Sequence, residues 1–487
     1  MTARVLGLDI GTTGVKAIAL DEGGRIVATA TVAHDGSTPH PGWAEGAPET
    51  WWANAVEAAR RIGRATRLDG IGMVGVSGMV PALICLDADG GVLRPSIQQN
   101  DARAVAEIAA LRDRLPGADF LAATGQPISQ QLILPRLLWL RRHEPDVYRR
   151  IRRILGSYDL VTHRLTGEWS LERNWALESG FWDARHGGWY APAFALTETP
   201  DAWLPPVRAP EAVVGAVTPA AAAATGLRAG MPVIAGSADH VAAALAAGTA
   251  PGELVLKIGG GGDVLYGVDR FAPDPRLYID YHDLPGRFLL NGCMAASGLV
   301  VKWFARVFAP ELGEREDRYA RLDTEAEVTS PGADGLVILP YFLGEKTPIF
   351  DAAARGMISG LTLGHGRGHI FRAVLEAVAY GFRHHVDVLV EDGHPIRSVR
   401  IMDGGARSPL WRQIVADVLG RAIEYAPGAD LGSAFGVAWV AGVALGAWDW
   451  GRPLEPAGPT VIHHPEAERT ARYDGLYRRY RELGGVR

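Results

Sequence analysis

The first thirty residues alternate between apolar runs and short polar turns. Residues 5–10 (VLGLDI) are mostly apolar, residues 11–14 (GTTG) interrupt them, and the apolar pattern resumes over residues 15–20 (VKAIAL). Residues 25–30 (RIVATA) extend the pattern to a third strand, and a helix is expected from about residue 49. The pattern therefore predicts three antiparallel strands followed by a helix.

Shorter apolar segments continue through the first half of the chain. Residues 71–77 (IGMVGVS) and 82–87 (ALICLD) predict strands, and the loop between them lies where such a strand would face a cleft. Residues 181–210 show no clear period and predict irregular structure or short strands. Helices are expected up to residue 111 after a capping Asp101, over residues 134–148, and over residues 219–225 between a capping threonine and a closing glycine.

The second half opens by repeating the first. A short strand over residues 231–237 runs into a small-residue helix, and residues 248–252 break the pattern before residues 253–264 repeat strand, glycine turn and strand. Strands that alternate with helices indicate parallel sheets. Because the opening pattern occurs twice and the break at residues 248–252 separates the two copies, we expect two domains, residues 1–249 and 250–487. The later elements predicted are long helices at residues 368–391, 408–419 and 432–448 and a strand at residues 399–402.

Composition narrows the classes of partner. At 487 residues the chain exceeds what one hydrophobic core usually supports, and its net charge of −6 gives no basis for nucleic-acid or membrane binding. Cys85 and Cys293 each lie in an apolar stretch, which indicates buried thiols in a reducing compartment. The sequence shows neither a secretory leader nor an apolar run near the roughly 18 residues of a membrane helix. A cytoplasmic protein is therefore expected, with a homodimer left open.

Two glycine-rich turns carry the candidate chemistry. In residues 11–14 the glycines let backbone N–H groups converge on an anion, and two threonines add hydroxyl donors. Asp9 is a carboxylate at a strand end beside this turn, which makes sense if Mg²⁺ lies between it and a phosphate. Residues 257–263 (KIGGGGD) form the second turn. Each turn alone also fits an ordinary β-turn, but one at the start of each half favours phosphate binding.

The most specific motif lies in the second half. Residues 356–361 (GMISGL), seven further residues and then residues 369–376 (HIFRAVLE) fit the C-terminal signature of the FGGY family of carbohydrate kinases at every constrained position. The chain resembles this family over essentially its whole length. Supporting motifs occur in family order at residues 9–13 (DIGTT), 42–45 (GWAE), 100–103 (NDAR), 138–140 (LWL), 344–348 (GEKTP), 403–408 (DGGARS) and 432–436 (GSAFG).

The resemblance implies an α/β fold with duplicated actin-like, ribonuclease-H-like ATPase domains and a deep interdomain cleft. Domain 1–249 is expected to bind sugar and phosphate, and domain 250–487 adenosine and phosphate. The implied activity is ATP- and Mg²⁺-dependent phosphorylation of a hydroxyl on a ketose or polyol, with a pentulose favoured. The alternatives are a sugar-acid kinase of the same family, an actin-like ATPase that acts without a sugar, and a catalytically silent sugar- and ATP-binding protein.

The resemblance also implies roles for individual residues. Asp239 is expected to be the general base that accepts the proton of the sugar hydroxyl, and Asp9 the Mg²⁺ ligand, through water. The residues expected to bind the nucleotide are Gly11, Thr12, Thr13, Gly259 and Gly260 at the phosphates and Gly405 and Ala406 at the adenosine. The residues expected to line the sugar site are Met79, Val80, Asn100, Asp101, Arg103, Gln131 and His240.

Several of these residues have a purely structural alternative. Asp239 and Asp101 each precede a predicted helix and equally fit the position of an N-cap. Met79 and Val80 equally fit the core at a strand end, and Gly405 equally fits an ordinary turn.

The chain departs from the family pattern at four points. Arg136 stands where the N-terminal signature has lysine, and Gly260 stands where the second phosphate loop usually carries a hydroxyl. Residues 77–82 (SGMVPA) stand where the xylulokinase-like branch reads SGQMHG, so its sugar-contacting histidine is absent. His240 follows the expected base where Asn or Gln is usual. Phosphate binding at the second loop is therefore expected to rest on backbone N–H groups alone.

Overall fold

A computed structural model of the chain describes residues 3–428, 431–450 and 458–485. The α-helices of this part are α1 Pro48–Ala65, α2 Val105–Arg114, α3 Gly117–Thr124, α4 Ile133–His143, α5 Pro145–Arg150, α6 Ser157–Thr166, α7 Arg173–Ser179, α8 Ala191–Thr197, α9 Pro219–Thr225, α10 Asp239–Ala246, α11 Gly298–Phe308, α12 Arg318–Glu327, α13 Arg367–Glu391, α14 Pro409–Leu419, α15 Gly432–Ala444 and α16 Ala467–Leu483. Short 3₁₀ helices lie at Asp201–Trp203, Pro310–Leu312, Ala333–Gly335 and Gly404–Arg407.

The strands are short, and most of them belong to two larger sheets. They are β1 Ala3–Gly11, β2 Gly14–Asp21, β3 Ile26–Ala33, β4 Glu45–Gly46, β5 Met73–Gly78, β6 Ile84–Leu86, β7 Ser96–Ile97, β8 Arg153–Leu155, β9 Leu171–Glu172, β10 Trp182–Asp183, β11 Gly188–Trp189, β12 Val207–Arg208, β13 Val213–Ala216, β14 Pro232–Ile234, β15 Ser237–Ala238, β16 Glu253–Ile258, β17 Gly262–Val268, β18 Tyr278–Tyr281, β19 Phe288–Met294, β20 Val337–Leu339, β21 Met357–Ser359, β22 Ser398–Met402, β23 Ile423–Tyr425 and β24 Val461–His463.

The described residues group into two compact units. The first contains those within Met1–Gly248, Val268–Leu289 and Leu431–Glu455. The second contains those within Thr249–Gly267, Leu290–Asp430 and Pro456–Arg487. The chain first passes from one unit to the other between Gly248 and Thr249, next to the boundary expected near residue 249. Two later segments, those within Val268–Leu289 and Leu431–Glu455, belong to the first unit again. A single cut in the sequence therefore does not describe the units.

The first unit is built on a sheet with the strand order β13-β14-β5-β1-β2-β3, and β15 also pairs with β5. β1 pairs antiparallel with β2, β2 pairs antiparallel with β3, and α1 packs on β2 and β3. The prediction of three antiparallel strands followed by a helix is therefore confirmed. β5 runs parallel to β1, and β15 runs parallel to β5. Val5, Ile10 and Ile18 of this sheet are completely buried, which places the core of the unit on it.

Helix α15 belongs to the first unit although it lies near the end of the chain. It packs on β1, β5 and α10. A Cβ atom on Gly7 would lie 2.3 Å from the Ala434 carbonyl oxygen, and one on Gly436 would lie 1.9 Å from the Ala242 carbonyl oxygen. Glycine at position 7 therefore lets α15 lie directly against the strand that leads to Asp9, and glycine at position 436 lets α15 lie directly against α10.

The second unit repeats the arrangement. The strands of its sheet follow the order β19-β17-β16-β22-β23-β24. β16 pairs antiparallel with β17 across the glycine turn and parallel with β22. These are the same relations that β1 has with β2 and β5. The duplicated α/β domain expected from the sequence is therefore present.

Two predicted helices end earlier than expected, each for a local reason. The helix expected over residues 134–148 is divided into α4 and α5, because Pro145 interrupts the chain after Glu144. Helix α15 ends at Ala444 because Gly446 adopts φ of 73° and turns the chain out of the helix, and the Gly446 N–H donates to the Val443 carbonyl oxygen at 2.9 Å.

Two further expectations concern caps and membrane spans. The prediction that Asp101 caps α2 is wrong, since the N-cap position is Ala104 and the Asp101 carboxylate is used in an ion pair. Thr218 does cap α9, where its side chain accepts from the Ala221 N–H, as predicted. Among the described helices, none combines the length and the apolar composition needed to cross a bilayer.

Candidate active site

The strand register of the first unit brings three predicted segments to one edge of its sheet. Asp9 on β1 is level with Ser77 on β5, and Ser77 is level with Ser237 on β15. The three strands run in the same direction, so their carboxyl ends lie at the same edge, where open α/β sheets bind ligands. This edge holds Asp9, the loop after β5, and Asp239, which directly follows β15.

Asp9 is buried, and its Oδ1 accepts a hydrogen bond of 3.0 Å from the Ser77 hydroxyl. A carboxylate at a strand end beside a glycine turn offers the oxygen ligand that Mg²⁺ prefers, and Mg²⁺ shares such sites with phosphates and waters. The residues present therefore fit the expected Mg²⁺, with Asp9 as its protein ligand.

The expected phosphate loop is the tight turn between β1 and β2, with Gly11 opposite Gly14. Thr12 is half-buried and Thr13 is exposed. His34, just after β3, supports the turn: its Nε2 lies 3.1 Å from the Gly11 carbonyl oxygen, and its backbone N–H donates to the Thr13 carbonyl oxygen at 3.1 Å. Burial lowers the pKa of His34, so a neutral ring at this position adds no charge beside the phosphate loop.

Asp239 is the first residue of α10, and its side chain is 24% exposed. The N-cap position is Ala238, which makes no side-chain capping hydrogen bond, so the alternative that Asp239 is an ordinary N-cap is wrong. Gly236, just before β15, has φ of 96°, and a Cβ atom there would lie 2.0 Å from the Val76 carbonyl oxygen. Glycine therefore lets the chain pass close to β5 and deliver Asp239 to the sheet edge.

His240, the next residue, is buried among carboxylates. Its Nε2 lies 2.9 Å from Asp280 Oδ2 and 3.8 Å from Glu178 Oε1, and its Nδ1 lies 3.5 Å from Asp239 Oδ1. Burial acts to lower the pKa of His240, but the negative charge of Asp280 and the contacts with Asp239 raise it well above its ordinary value. The donor atoms of Glu178, His240 and Asp280 lie within 4.8 Å of one another, a spacing that metal sites also show. In this structure two of these three groups, His240 and Asp280, bind each other through a direct hydrogen bond.

The loop after β5 contains Met79 and Val80, both buried. Buried side chains hold three of its carbonyl oxygens: the Ser157 hydroxyl donates to Met79 at 2.8 Å, the Gln131 amide to Val80 at 3.3 Å, and the Arg136 guanidinium to Pro81 at 2.7 Å. Burial lowers the pKa of Arg136 to about 10. Arg136, which departs from the family pattern, therefore stabilises the loop that is expected to line the sugar site, through its hydrogen bond to Pro81.

Asp101 and Arg103 form a closed ion pair in the first unit. Arg103 Nη2 lies 2.8 Å from Asp101 Oδ2 and 2.8 Å from Glu45 Oε1, and its guanidinium stacks 3.8 Å from the centre of a Trp43 ring. The side chains of Asp101 and Arg103 are completely buried. Within the described part of the chain, Arg103 Nη1 and Asn100 Oδ1 are buried polar atoms without a hydrogen-bond partner. This turn therefore contains one buried donor and one buried acceptor that the described residues leave unsatisfied, and its expected contact with the sugar stays a prediction.

Arg136 interacts both with the loop after β5 and, through its charge, with the ion pair of Asp101 and Arg103. The negative charges of Asp101 and Glu178 act to raise its pKa against the larger effect of burial, and the charge of Arg103 acts to lower it. Gln131 also donates to Glu178 Oε2 at 2.8 Å. All the residues expected to line the sugar site lie within Met1–Gly248, so they belong to the first unit.

In the second unit, Gly259 and Gly260 lie in the turn between β16 and β17, and their carbonyl oxygens accept backbone hydrogen bonds from the start of α11. A Cβ atom on Gly298 would lie 2.4 Å from the Gly259 carbonyl oxygen, and one on Gly259 would lie 2.8 Å from Asp403 Oδ2. The turn is held rigidly by these neighbours, and a fixed glycine turn of this kind suits the binding of an anion through backbone N–H groups.

Gly405 and Ala406 lie in the 3₁₀ helix that follows β22, the parallel neighbour of β16. A Cβ atom on Gly405 would lie 2.2 Å from Ile258 Cγ2, so packing against β16 also requires glycine here. Asp403, just before it, has φ of 73° and ψ of −175°, a region that residues other than glycine rarely adopt. Such strain is concentrated at functional sites. The assignment of Gly405 and Ala406 to the adenosine stays a prediction.

Three residues of the site were not predicted from the sequence: His34, Glu178 and Asp280. Asp280 lies inside β18, between apolar and aromatic residues, and an acidic residue in such a strand is a signal that could have identified it. His34 and Glu178 lack any such signal, because each acts through a contact with a residue distant in sequence.

The duplicated domain, with a hairpin turn and a parallel strand in each half, defines an actin-like ATPase fold that carries a phosphotransferase-type site. Residues 4–246 match the N-terminal domain and residues 272–445 the C-terminal domain of the FGGY family of carbohydrate kinases. The chain belongs to this family and is an ATP-dependent carbohydrate kinase.

Relatives and solved structures agree with this assignment. The chain is 32% identical to a xylulose kinase of Escherichia coli (strain K12) over 482 residues, which cover 98% of each chain. The crystal structure of a xylulose kinase from Rhodospirillum rubrum is similar at 45% identity and a TM-score of 0.82, over 99% of this chain and 98% of that one. A gluconate kinase structure from Lactobacillus acidophilus, at 22% identity and a TM-score of 0.83 over 99% and 97% of the two chains, shares the fold.

Proposed function

We propose that this chain transfers the γ-phosphoryl group of ATP to a hydroxyl of a pentulose of the xylulose type. The observation that carries the proposal is the register across β1, β5 and β15, which puts Asp9 and Asp239 at one sheet edge with the loop of Met79 between them. The xylulose kinases similar to this chain over nearly its whole length support the choice of sugar.

In this proposal Asp239 is the general base. Phosphoryl transfer requires in-line positioning, neutralisation of charge and a carboxylate that accepts the hydroxyl proton late in the reaction. Asp239 is partly exposed at the start of α10, so its carboxylate is accessible to a hydroxyl while Gly236 fixes its backbone against β5. The proton moves from the sugar oxygen to Asp239 as that oxygen forms its bond with phosphorus.

The phosphates are proposed to bind the two glycine turns. Gly11, Thr12 and Thr13 offer backbone N–H groups and two hydroxyls, whereas Gly259 and Gly260 offer backbone groups only. Gly405 and Ala406 are proposed to lie against the adenosine, where the lack of a large side chain lets a flat base approach the backbone. Mg²⁺ held by Asp9 would neutralise the phosphate charge when bound.

The turn of residues 100–103 favours a neutral sugar over a sugar acid as the substrate. A sugar acid would need a cation with free charge, but Arg103 is already paired with Asp101 and Glu45. The buried Arg103 Nη1 and Asn100 Oδ1 instead match the donor and acceptor that a hydroxyl needs. The sugar-acid alternative rests on the shared fold alone.

A coupled ADP-release assay over pentuloses, hexuloses, polyols and sugar acids tests the proposal. We expect the highest kcat/KM with a pentulose, and the loss of most activity in Asp239→Asn with retained folding and ATP binding. A sugar acid as the preferred substrate would overturn the choice of sugar, and ATP hydrolysis without a sugar would favour the actin-like ATPase. Binding of ATP and sugar without ADP release over the whole panel would favour the catalytically silent alternative. Near-normal turnover in Asp239→Asn would remove Asp239 from its role as base.

A further inference from the structure

The two ring nitrogens of His240 face carboxylates on opposite sides. Nε2 donates to Asp280 Oδ2 at 2.9 Å, and Nδ1 lies 3.5 Å from Asp239 Oδ1. A neutral imidazole has one N–H, so a neutral ring would direct a lone pair at one of the two carboxylates. Both contacts are favourable only when the ring carries both protons. The geometry therefore indicates an imidazolium ring between the two acids.

The other groups around His240 reinforce this charge state. Glu178 Oε1 lies 3.8 Å from Nε2, and the buried Asp283, whose pKa burial raises to about 7, is close enough to interact with a charge on His240. Arg173, the neighbouring cation, acts on Asp283 as well. Among the elements packed on α10, α15 and strands β5 and β15 carry no ionisable residue, and β1 carries Arg4 and Asp9 near its two ends. Carboxylates therefore dominate the surroundings of the ring, as the raised pKa of His240 also indicates.

We propose that His240 is a positioning residue for Asp239, in which the Nδ1–H group orients the Asp239 carboxylate and keeps it ionised while Asp280 and Glu178 hold the ring. The proposal rests on the proposed function, in which Asp239 is the general base. The contact of 3.5 Å is long for a hydrogen bond, and contacts of this kind often shorten only when the substrate binds. His240 keeps its own protons throughout, so it does not replace Asp239 as proton acceptor.

The same contacts reach the sugar loop. Glu178, which faces His240, accepts from the Gln131 amide at 2.8 Å, and that amide also donates to the Val80 carbonyl oxygen at 3.3 Å. A continuous series of buried contacts therefore joins the loop after β5 to the base. This series fixes the direction from which Nδ1 approaches Asp239, because the ring cannot rotate without breaking its contact with Asp280.

The proposal predicts a specific change in pH dependence. A cation within about 4–6 Å of a carboxylate lowers its pKa by about one to three units. Removing the His240 charge should therefore raise the pKa of Asp239 and move the acidic limb of the kcat/KM profile to higher pH. In His240→Gln, which keeps an amide donor without the charge, we expect a shift of about one pH unit or more. The loss should fall mainly on kcat at pH 6, with a smaller change in KM for the sugar.

Two further variants separate positioning from general damage. Asp280→Asn should shift the acidic limb in the same direction, because it removes the carboxylate that holds the His240 proton. Val241→Ala is the control: Val241 is buried in the same helix and carries no charge, so its loss should lower the melting temperature and leave the pH profile unchanged. A wild-type pH profile in His240→Gln, or an equal shift in Val241→Ala, would overturn the proposal while the proposed function stands. Absence of kinase activity in the wild-type protein would instead overturn the proposed function.

A direct measurement does not depend on activity. Long-range ¹H–¹⁵N NMR of the wild-type protein reports the protonation of each histidine, and the His240 signals are assigned by their loss in His240→Gln or, if that variant does not fold, in His240→Asn. We expect both nitrogens of His240 to remain protonated at pH 8. A neutral ring at pH 8 would overturn the proposal, as would a stoichiometric metal ion that is found in the wild-type protein and lost in Asp280→Asn.

Discussion

The Ser77 hydroxyl donates to Asp9 Oδ1 over 3.0 Å, across the register that joins β5 to β1. Both side chains are buried, so water does not compete for this hydrogen bond. Because Asp9 is the proposed Mg²⁺ ligand, Ser77 would fix the orientation in which the Asp9 carboxylate holds the metal. Metal ligands are often oriented by such supporting hydrogen bonds, and their removal weakens metal binding.

The first prediction follows from this pair. Asp9→Asn should abolish most of the Mg²⁺-dependent activity, and Ser77→Ala should raise the Mg²⁺ concentration needed for half-maximal rate by about three- to tenfold, the equivalent of one hydrogen bond. The measurement is a Mg²⁺ titration of the sugar phosphorylation rate at saturating sugar. Ser96→Ala is the matched control, because Ser96 is buried and its hydroxyl has no hydrogen-bond partner among the described residues. An unchanged Mg²⁺ requirement in Ser77→Ala would contradict this role.

A second prediction concerns the proposed second phosphate loop, residues 257–263, whose glycines carry no side-chain hydroxyl. Gly260→Thr restores a hydroxyl beside the proposed phosphate position, so the affinity for ATP should stay the same or increase by up to about tenfold. Isothermal titration calorimetry with ATP measures this effect. Gly405→Ala is the contrasting variant, because a Cβ atom there would meet Ile258 Cγ2 at 2.2 Å and should lower the melting temperature. A large loss of stability in Gly260→Thr without a change in ATP affinity would place the loop away from the phosphates.

The ion pair of Arg103 gives a third prediction. Arg103→Ala leaves Asp101 and Glu45 without their shared cation, and breaking a buried pair in this way costs about 3–5 kcal/mol of unfolding free energy. Arg103→Lys keeps the charge but loses the two-point contact with Asp101 and the stacking on Trp43, so its cost should be smaller. Urea denaturation measures both.

The control for this series is Arg61→Ala, which removes an exposed pair with Glu57. An exposed pair contributes less than about 1 kcal/mol. If Arg103→Ala were as stable as Arg61→Ala but showed a raised KM for the sugar, Arg103 would be a ligand first and a structural residue second.

The outcome of the sequence predictions divides along physical lines. The hairpin around Gly11 and the helix from Pro219 to Thr225 are local patterns, set by glycine turns, caps and apolar period, and the sequence predicted both. The contacts of His240 with Asp280 and of Gln131 with Glu178 join segments that are far apart in the chain, and no local pattern encodes them.

The paired histidines of α13 show the same limit. Two adjacent histidines on a helix ordinarily indicate an exposed position, but His384 and His385 are both buried, so a surface position predicted for them from the sequence is wrong. The His385 Nδ1 lies 2.8 Å from the Gly381 carbonyl oxygen, and its Nε2 lies 2.8 Å from the Thr347 hydroxyl. Burial lowers the pKa of His385 to about 4, so a neutral ring fits the core once these partners are present.

The last prediction concerns stability and pH. Glu172 is completely buried, and its Oε2 accepts from the Tyr158 hydroxyl at 3.0 Å and from the Asn174 N–H at 2.9 Å. Burial raises the pKa of Glu172 from 4.5 to about 8. The folded state therefore holds a proton that the unfolded state releases above its own pKa. The stabilisation due to this proton is complete below about pH 4.5 and is lost as the pH rises through about 8.

Glu172→Gln, which cannot ionise, should remove this dependence. Between pH 5.5 and 7.5 the unfolding free energy of the wild-type protein should fall relative to that of Glu172→Gln by up to about 1.4 kcal/mol per pH unit. Urea denaturation at several pH values measures the difference, in which the contributions of the other buried acids cancel. Glu468→Gln, at an exposed position of α16, should keep the wild-type pH dependence. Parallel curves for the wild-type protein and Glu172→Gln would show that Glu172 is ionised in the folded state.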